Sequence, residues 1–292
     1  MTVIAKLHGG LGNQMFQYAA ARALAHRLAA EVCLDVTEVT GNSMRQYALD
    51  AFNIRAEVGT ADEMMAFHPQ SRGQSLPFIR ALRRSLLGYG AYTVYREKHF
   101  HYDPTFVTLH GDVYLDGYWQ SERYFADIEA ELRREFEFRA SVSDEYAWLV
   151  NRLAQPNSVS VHVRRGDYVS DPAISRLHGA VDFSYYLRAA NIIAERCAKP
   201  SFFVFSDDSQ WVRENFHLQA PFELVAPDMT NPAEDLRLMS LCAHHIISNS
   251  TFSWWGAWLA NHRNQIVVAP KRWFATDEHD TRDIVPERWI TV

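Results

Sequence analysis

The chain has 292 residues, 48% hydrophobic and 22% charged, with a formal net charge of −6. That length lies where one hydrophobic core gives way to two, and the composition excludes a disordered or fibrous chain. The acidic balance excludes the broad basic footprint of a nucleic-acid binder, so any anion must be met by a local cluster.

From the N-terminus, "VIAKL" reads as an apolar strand and "HGGLGNQ" as a glycine-rich turn. In "MFQYAAARALAHRLAA", Met15, Ala19, Ala23, Leu24 and Leu28 recur at helical spacing, and "EVCLDV" is a second strand. Strand, turn, helix, strand is a βαβ unit and predicts a parallel sheet. Residues 41–110 show no clean repeat. Within them Pro77 to Arg96 interleaves Arg80, Arg83, Arg84 and Arg96 with apolar and aromatic residues. Such a stretch is either a solvated helix face or a segment resting on an anionic membrane surface. "DVYLDGYW" reads as a strand ending in a turn, and "SERYFADIEAELRREFEF" as a helix capped by Ser121.

Pro156 and Asn157 break the helical pattern, which places a boundary between residues 1–155 and 156–292. The alternation then restarts. Strands are expected at "SVSVHV", "SFFVFS", "FELVA", "HHIIS" and "QIVVAP", separated by helices at "DFSYYLRAANIIAERC", "DDSQWVRENF", "NPAEDLRLMSLCA" and "TFSWWGAWLAN". The strands are near-continuous apolar runs, the pattern of sheets covered on both faces. The fold expected is α/β: two Rossmann-like domains with a cleft between them.

Cys33, Cys197 and Cys242 are odd in number and form no CxxC pair. This argues against a disulfide scaffold or zinc site and fits a reducing compartment. No run approaches the roughly 18 apolar residues that span a bilayer. "MTVIAKLHGG" lacks a signal-peptide pattern. The expectation is a cytoplasmic protein, with residues 77–96 as the candidate for peripheral contact with the inner membrane.

Five stretches could carry chemistry. Gly9, Gly10 and Gly12 let the backbone turn and approach a ligand at a helix start. Met15 stands where the dinucleotide fingerprint needs its third glycine, which disfavours an NAD-dependent oxidoreductase, and no GKS or GKT follows. Asp35 sits about where a ribose-binding acid would. In "VHVRRGD", alternation sends His162 and Arg164 to one face of the strand and Arg165 to the other. Arg suits planar, bidentate contact with phosphate, and the alternative is a structural ion-pair cluster in which Asp167 orients a guanidinium. Ser250 and Thr251 at a helix start form an anion cradle. The same residues complete an N-glycosylation sequon at Asn249, discounted at a strand–helix junction. Trp254, Trp255 and Trp258 read as core. Adjacent Asp207 and Asp208 suggest a divalent metal, but an N-cap for the next helix is the better reading. Tyr118, Trp119 and Gln120 suit a sugar ring or, equally, core packing.

"LHGGLGNQMFQYA", "GYWQSERYF", "VHVRRGDYV", "FSDD" and "SNSTFSWWGAWL" follow in this order between Lys6 and Pro270. Together they resemble the family 11 glycosyltransferases, the bacterial and animal α-1,2-fucosyltransferases. The HxRRxD element resembles, more distantly, that of α-1,6- and protein O-fucosyltransferases. The resemblance implies a GT-B fold, GDP-fucose as donor, a galactose-containing oligosaccharide as acceptor, inversion at the anomeric carbon, and no metal or other cofactor. It implies O-antigen or similar surface-glycan synthesis and, since the animal members' membrane anchor is not seen ahead of the first motif, a bacterial cytoplasmic enzyme. Position by position, His162, Arg164 and Arg165 match the element that grips the GDP phosphates. Ser250, Thr251 and Phe252 match the Ser/Thr element at the helix start. Asp235 stands where an acid pairs with guanine, and Gly10, Gly12 and Asn13 match a loop approaching the donor from the other domain. Residues 1–155 are then the acceptor side and 156–292 the donor side. Arg164 carries the charge stabilisation. Asp167 and His8 are candidates for the base, with late proton transfer to water or phosphate also open. A transferase of another linkage or donor, and a non-catalytic nucleotide-sugar-binding protein, remain alternatives.

Overall fold

The computed structural model describes residues 1–40, 46–60, 63–64, 92–225 and 231–292. They form two compact units, Met1–Glu137 and Phe138–Val292. The first is built on strands β1 (Thr2–Lys6), β2 (Glu31–Asp35), β3 (Glu57–Val58), β4 (Tyr92–Arg96) and β5 (Asp112–Asp116). Their spatial order is β3-β2-β1-β5-β4, with every neighbouring pair parallel. Helix α1 (Leu11–Leu28) makes the crossover from β1 to β2, as the βαβ reading requires.

Helix α1 is buried on nearly every side: Met15, Phe16, Tyr18, Ala19, Ala20, Ala23 and Leu24 are all fully covered. Its run of alanines lets neighbouring backbone approach closely. Two buried amides on it tie down the glycine turn. Gln17 Oε1 accepts from His8 N at 3.1 Å, while Gln14 Nε2 donates to Gly9 O at 3.1 Å and Gln46 O at 2.8 Å. Ser121 does cap a helical segment, accepting from Arg123 N, but the single helix expected there is broken. Two 3₁₀ turns (Glu122–Tyr124 and Ala126–Ile128) precede helix α2 (Glu129–Glu135), because Phe125 leaves helical geometry at φ −138°. Residues 77–91 lie outside the described residues. The end of that basic stretch, "YTVYR", is strand β4 rather than helix, its β-branched and aromatic residues pairing with β5.

The second unit begins with helix α3 (Ala147–Leu153). Tyr146, Leu149 and Leu153 pack with Phe203, Phe205, Leu238, Met239 and Cys242. The division between units therefore falls at Glu137/Phe138 rather than at 155/156. Pro156 marks only the turn from α3 into strand β6 (Ser158–Val163). Then follow α4 (Gly166–Ser170), α5 (Pro172–Leu177), α6 (Phe183–Arg196), β7 (Ser201–Ser206), α7 (Ser209–Asn215) and β8 (Phe222–Leu224). Helix α8 (Pro232–Ser240), β9 (His244–Ile246), α9 (Thr251–Leu259), β10 (Val267–Ala269) and β11 (Ile290–Thr291) complete the unit. The order β11-β10-β9-β6-β7-β8 is again wholly parallel, with β6 near its middle. Val159, Val161 and Val163 on one face of β6 pack against Tyr185, Tyr186, Ala189 and Ile193 of α6. On α9, Trp254 and Trp255 are fully buried and Trp258 is 2% exposed, so this aromatic group is core. Among the described residues no helix is long and apolar enough to cross a membrane.

Candidate functional site

Strand β6 is buried over all six residues, and its polar members Ser158, Ser160 and His162 share the face opposite the valines. At its carboxyl end the chain turns at once into α4, with Arg165 at the cap position. The neighbouring strand β7 runs in register, Val163 opposite Ser206. Arg164 and Arg165 therefore emerge beside Asp207 and Asp208. Arg164 Nη2 donates to Asp167 Oδ1 at 2.5 Å, and its Nη1 lies 2.7 Å from Asp207 Oδ2. The other oxygen of Asp207 accepts from the backbone N–H of Arg165 at 2.8 Å. A Cβ on Gly166 would run into that carboxylate, which explains the glycine of "RRGD". The Arg165 guanidinium lies over the Trp211 ring at 3.7 Å. Its Nε is 3.5 Å from Asp208 Oδ2, an ion pair without hydrogen-bond geometry. Asp208 also caps α7, accepting from Trp211 N at 3.0 Å.

The two acids of "FSDD" thus orient the arginine pair, and Asp208 has the capping role read from the sequence as well. Among the described residues, no group of three or more His, Cys, Asp or Glu is placed to hold a metal ion. Two guanidiniums face three carboxylates here, so the pair is rigidly aimed but its charge is largely compensated. A bound phosphate would need further donors.

Further polar groups stand on the loop between β9 and α9. His162 Nδ1 is 2.9 Å from Ser248 Oγ, which ties β6 to the loop leading into α9. Burial, reinforced by the neighbouring Arg164 charge, pushes the His162 imidazole down to about 3, so the ring is neutral. Tyr168 Oη donates to Asn249 O at 3.2 Å, and the Arg164 guanidinium lies 5.3 Å from the Tyr168 ring. Ser250 is the N-cap of α9 in extended geometry, but its side chain makes no cap hydrogen bond. The Phe252 ring sits 5.7 Å from that of His162. His162, Arg164, Arg165, Ser250, Thr251 and Phe252 therefore gather at the carboxyl edge of one parallel sheet, the place where α/β folds bind ligands. Asp235 lies in the first turn of α8, half-buried, in the same unit.

The remaining candidates form a second group, at the carboxyl edge of the N-terminal sheet. Gly9 has φ +77°, and a Cβ there would collide with Asn13. Gly10 is the N-cap of α1, Gly12 is buried in its first turn, and Asn13 Oδ1 accepts from Gln120 Nε2 at 3.0 Å. His8 Nε2 lies 3.1 Å from Gly117 O, and burial holds its imidazole below the usual value. Asp35 is fully buried and accepts from Thr37 Oγ1 at 2.7 Å and Tyr114 Oη at 2.6 Å, a structural arrangement closed to a ribose. Sequence reasoning missed the bracing by Asp207, the Trp211 platform and the Ser248 tether. The register of adjacent strands was the signal that would have shown the first two.

The sequence profile of glycosyltransferase family 11 matches residues 2–292. An α-1,2-colitosyltransferase of Escherichia coli is 33% identical over 99% of this chain and 98% of its own length. The O-antigen biosynthesis glycosyltransferase WbnK of Escherichia coli is 30% identical over 98% and 99%. A galactoside α-(1,2)-fucosyltransferase 1 of Saimiri boliviensis boliviensis is 33% identical over 50% of this chain and 42% of that protein. Among solved structures, NodZ α-1,6-fucosyltransferase soaked with GDP-fucose superposes with a TM-score of 0.52 at 16% identity, covering 88% of this chain and 92% of that one. An arginine-to-lysine mutant of Arabidopsis thaliana FUT1 in complex with GDP gives 0.51 at 12% identity, covering 98% and 74%. These solved structures share the α/β fold with parallel sheets.

Proposed function

Because the chain belongs to glycosyltransferase family 11, we propose that it transfers L-fucose from GDP-fucose to the 2-hydroxyl of a β-galactoside, with inversion and without a metal. The observation that carries this reading is the arginine pair braced by Asp167 and Asp207 beside the uncommitted cap of α9. As the bond from fucose C1 to the phosphate oxygen breaks, negative charge grows on the β-phosphate and positive charge on the sugar ring. Arg164, Arg165 and the first N–H groups of α9 supply fixed positive ends for that oxygen, and preorganised donors of this kind are worth most in a desolvated site. His162 takes part as a neutral ring. Its Nδ1 is engaged with Ser248 Oγ, so Nε2 is the ring nitrogen left to meet a phosphate. Asp235 is the candidate partner for guanine. Gly10, Gly12 and Asn13, at the start of α1, are the candidates of the N-terminal unit for donor contact.

Asp167, which holds Arg164 through Oδ1, is one candidate acceptor for the proton of the attacking hydroxyl. His8, held neutral by burial, is the other acceptor. The reading extends to O-antigen or similar surface-glycan synthesis in the cytoplasm, and three buried free thiols favour a reducing compartment. A second donor is favoured by one finding, the α-1,2-colitosyltransferase matched over nearly the whole of both chains. Colitose is fucose without its 3-hydroxyl, so the two donors present the same diphosphate to the same arginines.

The test is turnover with GDP-fucose, GDP-colitose, GDP-mannose and UDP-sugars against a panel of β-galactosides. Transfer to the galactose 2-hydroxyl from GDP-fucose is the expected result. Preference for GDP-colitose changes the donor alone. Binding of GDP-fucose without product from any acceptor would make the protein a nucleotide-sugar binder.

A further inference from the structure

Tyr118 stands out at the carboxyl edge of the N-terminal sheet. It is 38% exposed, while its neighbours Trp119 and Gln120 are buried at 1% and 7%. Its ring lies 4.2 Å from that of His8. Close by, Lys6 Nζ pairs with Glu38 Oε1 at 2.7 Å and with Asp116 Oδ1 at 3.4 Å. An exposed aromatic face beside oriented charged groups suits a pyranose, which offers an apolar C–H face and a rim of hydroxyls.

The turn that presents Tyr118 is held under strain. Trp119 has φ +56°, the left-handed region that a bulky residue rarely adopts. Glu97 secures it. Its two carboxyl oxygens accept from Tyr118 N at 2.8 Å and Trp119 N at 2.9 Å. A Cβ on Gly117 would collide with Glu97, so the turn needs glycine there. The indole of Trp119 is gripped by Tyr95, Phe106 and Tyr124 at ring separations of 5.8, 5.4 and 5.5 Å. A carboxylate spent on the backbone of a strained turn, next to an outward ring, is a positioning device.

We infer that this edge is a saccharide subsite for the acceptor, with Tyr118 as its platform and Glu97 as the positioning residue that holds the platform in place. The inference rests on the transferase reading for the identity of the sugar, a β-galactoside. It also gives the subsite a pH dependence. Burial pushes the Glu97 carboxyl up to about 7, against the two amide bonds that favour its charged form. The titratable side chains that interact with it are Tyr118 and Tyr124. Lys6, Glu38 and His8 face Tyr118, and Lys98 faces Asp103. His8, lowered by burial, is neutral above pH 6.5. As pH falls through about 7, Glu97 gains a proton and one oxygen presents O–H to an amide N–H. The clamp is complete above that pH and loosens below it.

The experiment is acceptor and donor KM between pH 6 and 8.5 for the wild type, Glu97→Gln, Tyr118→Ala and Tyr118→Phe. In the wild type, acceptor KM should rise about tenfold as pH falls through 7, the scale of one buried donor losing its partner. Glu97→Gln should hold the raised value at every pH with donor KM unchanged. Tyr118→Ala should raise acceptor KM and Tyr118→Phe restore it. A Glu97→Gln profile that tracks the wild type, donor and acceptor KM moving together, or an unchanged acceptor KM in Tyr118→Ala would overturn the inference. If the wild type glycosylates no galactoside, the transferase reading fails separately. The subsite is then read by saturation-transfer NMR with methyl β-galactoside. Transfer lost in Tyr118→Ala supports it, and no transfer to the wild type sinks it.

Discussion

In the transfer proposed above Arg164 is the side chain on which the chemistry turns, and both of its terminal nitrogens are held by carboxylates. Its function is therefore geometric as well as electrostatic. Arg164→Lys keeps the charge but loses the planar fork, and should lose most of what Arg164→Ala loses. The alanine variant should turn over roughly 10²–10³-fold more slowly, the cost of one oxyanion donor, while melting within a few degrees of the wild type. Asp207→Asn should slow turnover less than Arg164→Ala and raise donor KM, because it weakens one of the two braces on Arg164 and gives the Arg165 N–H a neutral, weaker acceptor. His162 is held neutral with its ionisation near 3. A group whose folded value is lowered stays uncharged across the working range, so donor KM should be flat from pH 6 to 8 on its account. A step near pH 6.5 that disappears in His162→Asn would show the ring charging. At this scale the sequence was legible wherever one strand end held the chemistry, as in "VHVRRGD". It was silent where partners lie on different strands. The pairing of Arg164 with Asp207 depends on the β6–β7 register, and no local pattern encodes that.

Among the elements, the strands could be read because parallel sheets bury them on both faces and demand unbroken apolar runs. Short helices could not. Helices α4 and α5 have five and six residues with no fully buried position, so neither carries an amphipathic stripe. Only the Asp171-Pro172 start announces α5, with Asp171 accepting from Ala173 N at 2.8 Å. The unit boundary was misplaced for a related reason. A helix break near a proline resembles a linker, and only the packing of Leu149 and Leu153 on Phe203 and Leu238 assigns α3 to the second sheet. Leu149→Ala should destabilise that unit by about 2–5 kcal/mol, measured by chemical denaturation. Trp254→Ala should cost about 3–5 kcal/mol, since it opens a cavity and also removes the indole N–H that donates to Ile284 O at 2.7 Å. Either variant with wild-type stability would mean these helices are not part of the core.

For the whole molecule, two wholly parallel sheets place both candidate groups at strand carboxyl ends, and this much was legible from the alternation of elements. What residues 41–110 contribute was not, because they carry no readable periodicity. On the proposed reading one braced arginine pair meets the diphosphate, so donor binding should depend little on a cation. Full turnover in EDTA is expected. Activity abolished by EDTA and restored by Mg²⁺ or Mn²⁺ would return Asp207 and Asp208 to the role of metal ligands. GDP should also protect the fold by mass action, about 2.7 kcal/mol at a hundredfold excess over Kd. In Arg164→Ala that protection should shrink, as read by the rise of Tm with GDP concentration.

Asn249 is 3% exposed, and its amide nitrogen faces three carbonyl oxygens, those of His178, Gly179 and Trp273, at 3.0–3.1 Å. Its two hydrogens are shared among them, stitching three loops to the start of α9. Produced through a eukaryotic secretory host, the nascent polypeptide would offer this asparagine to oligosaccharyltransferase before those loops close. A glycan attached there could not be accommodated, and the product would be retained or degraded. Expression hosts that do not glycosylate follow as the practical choice.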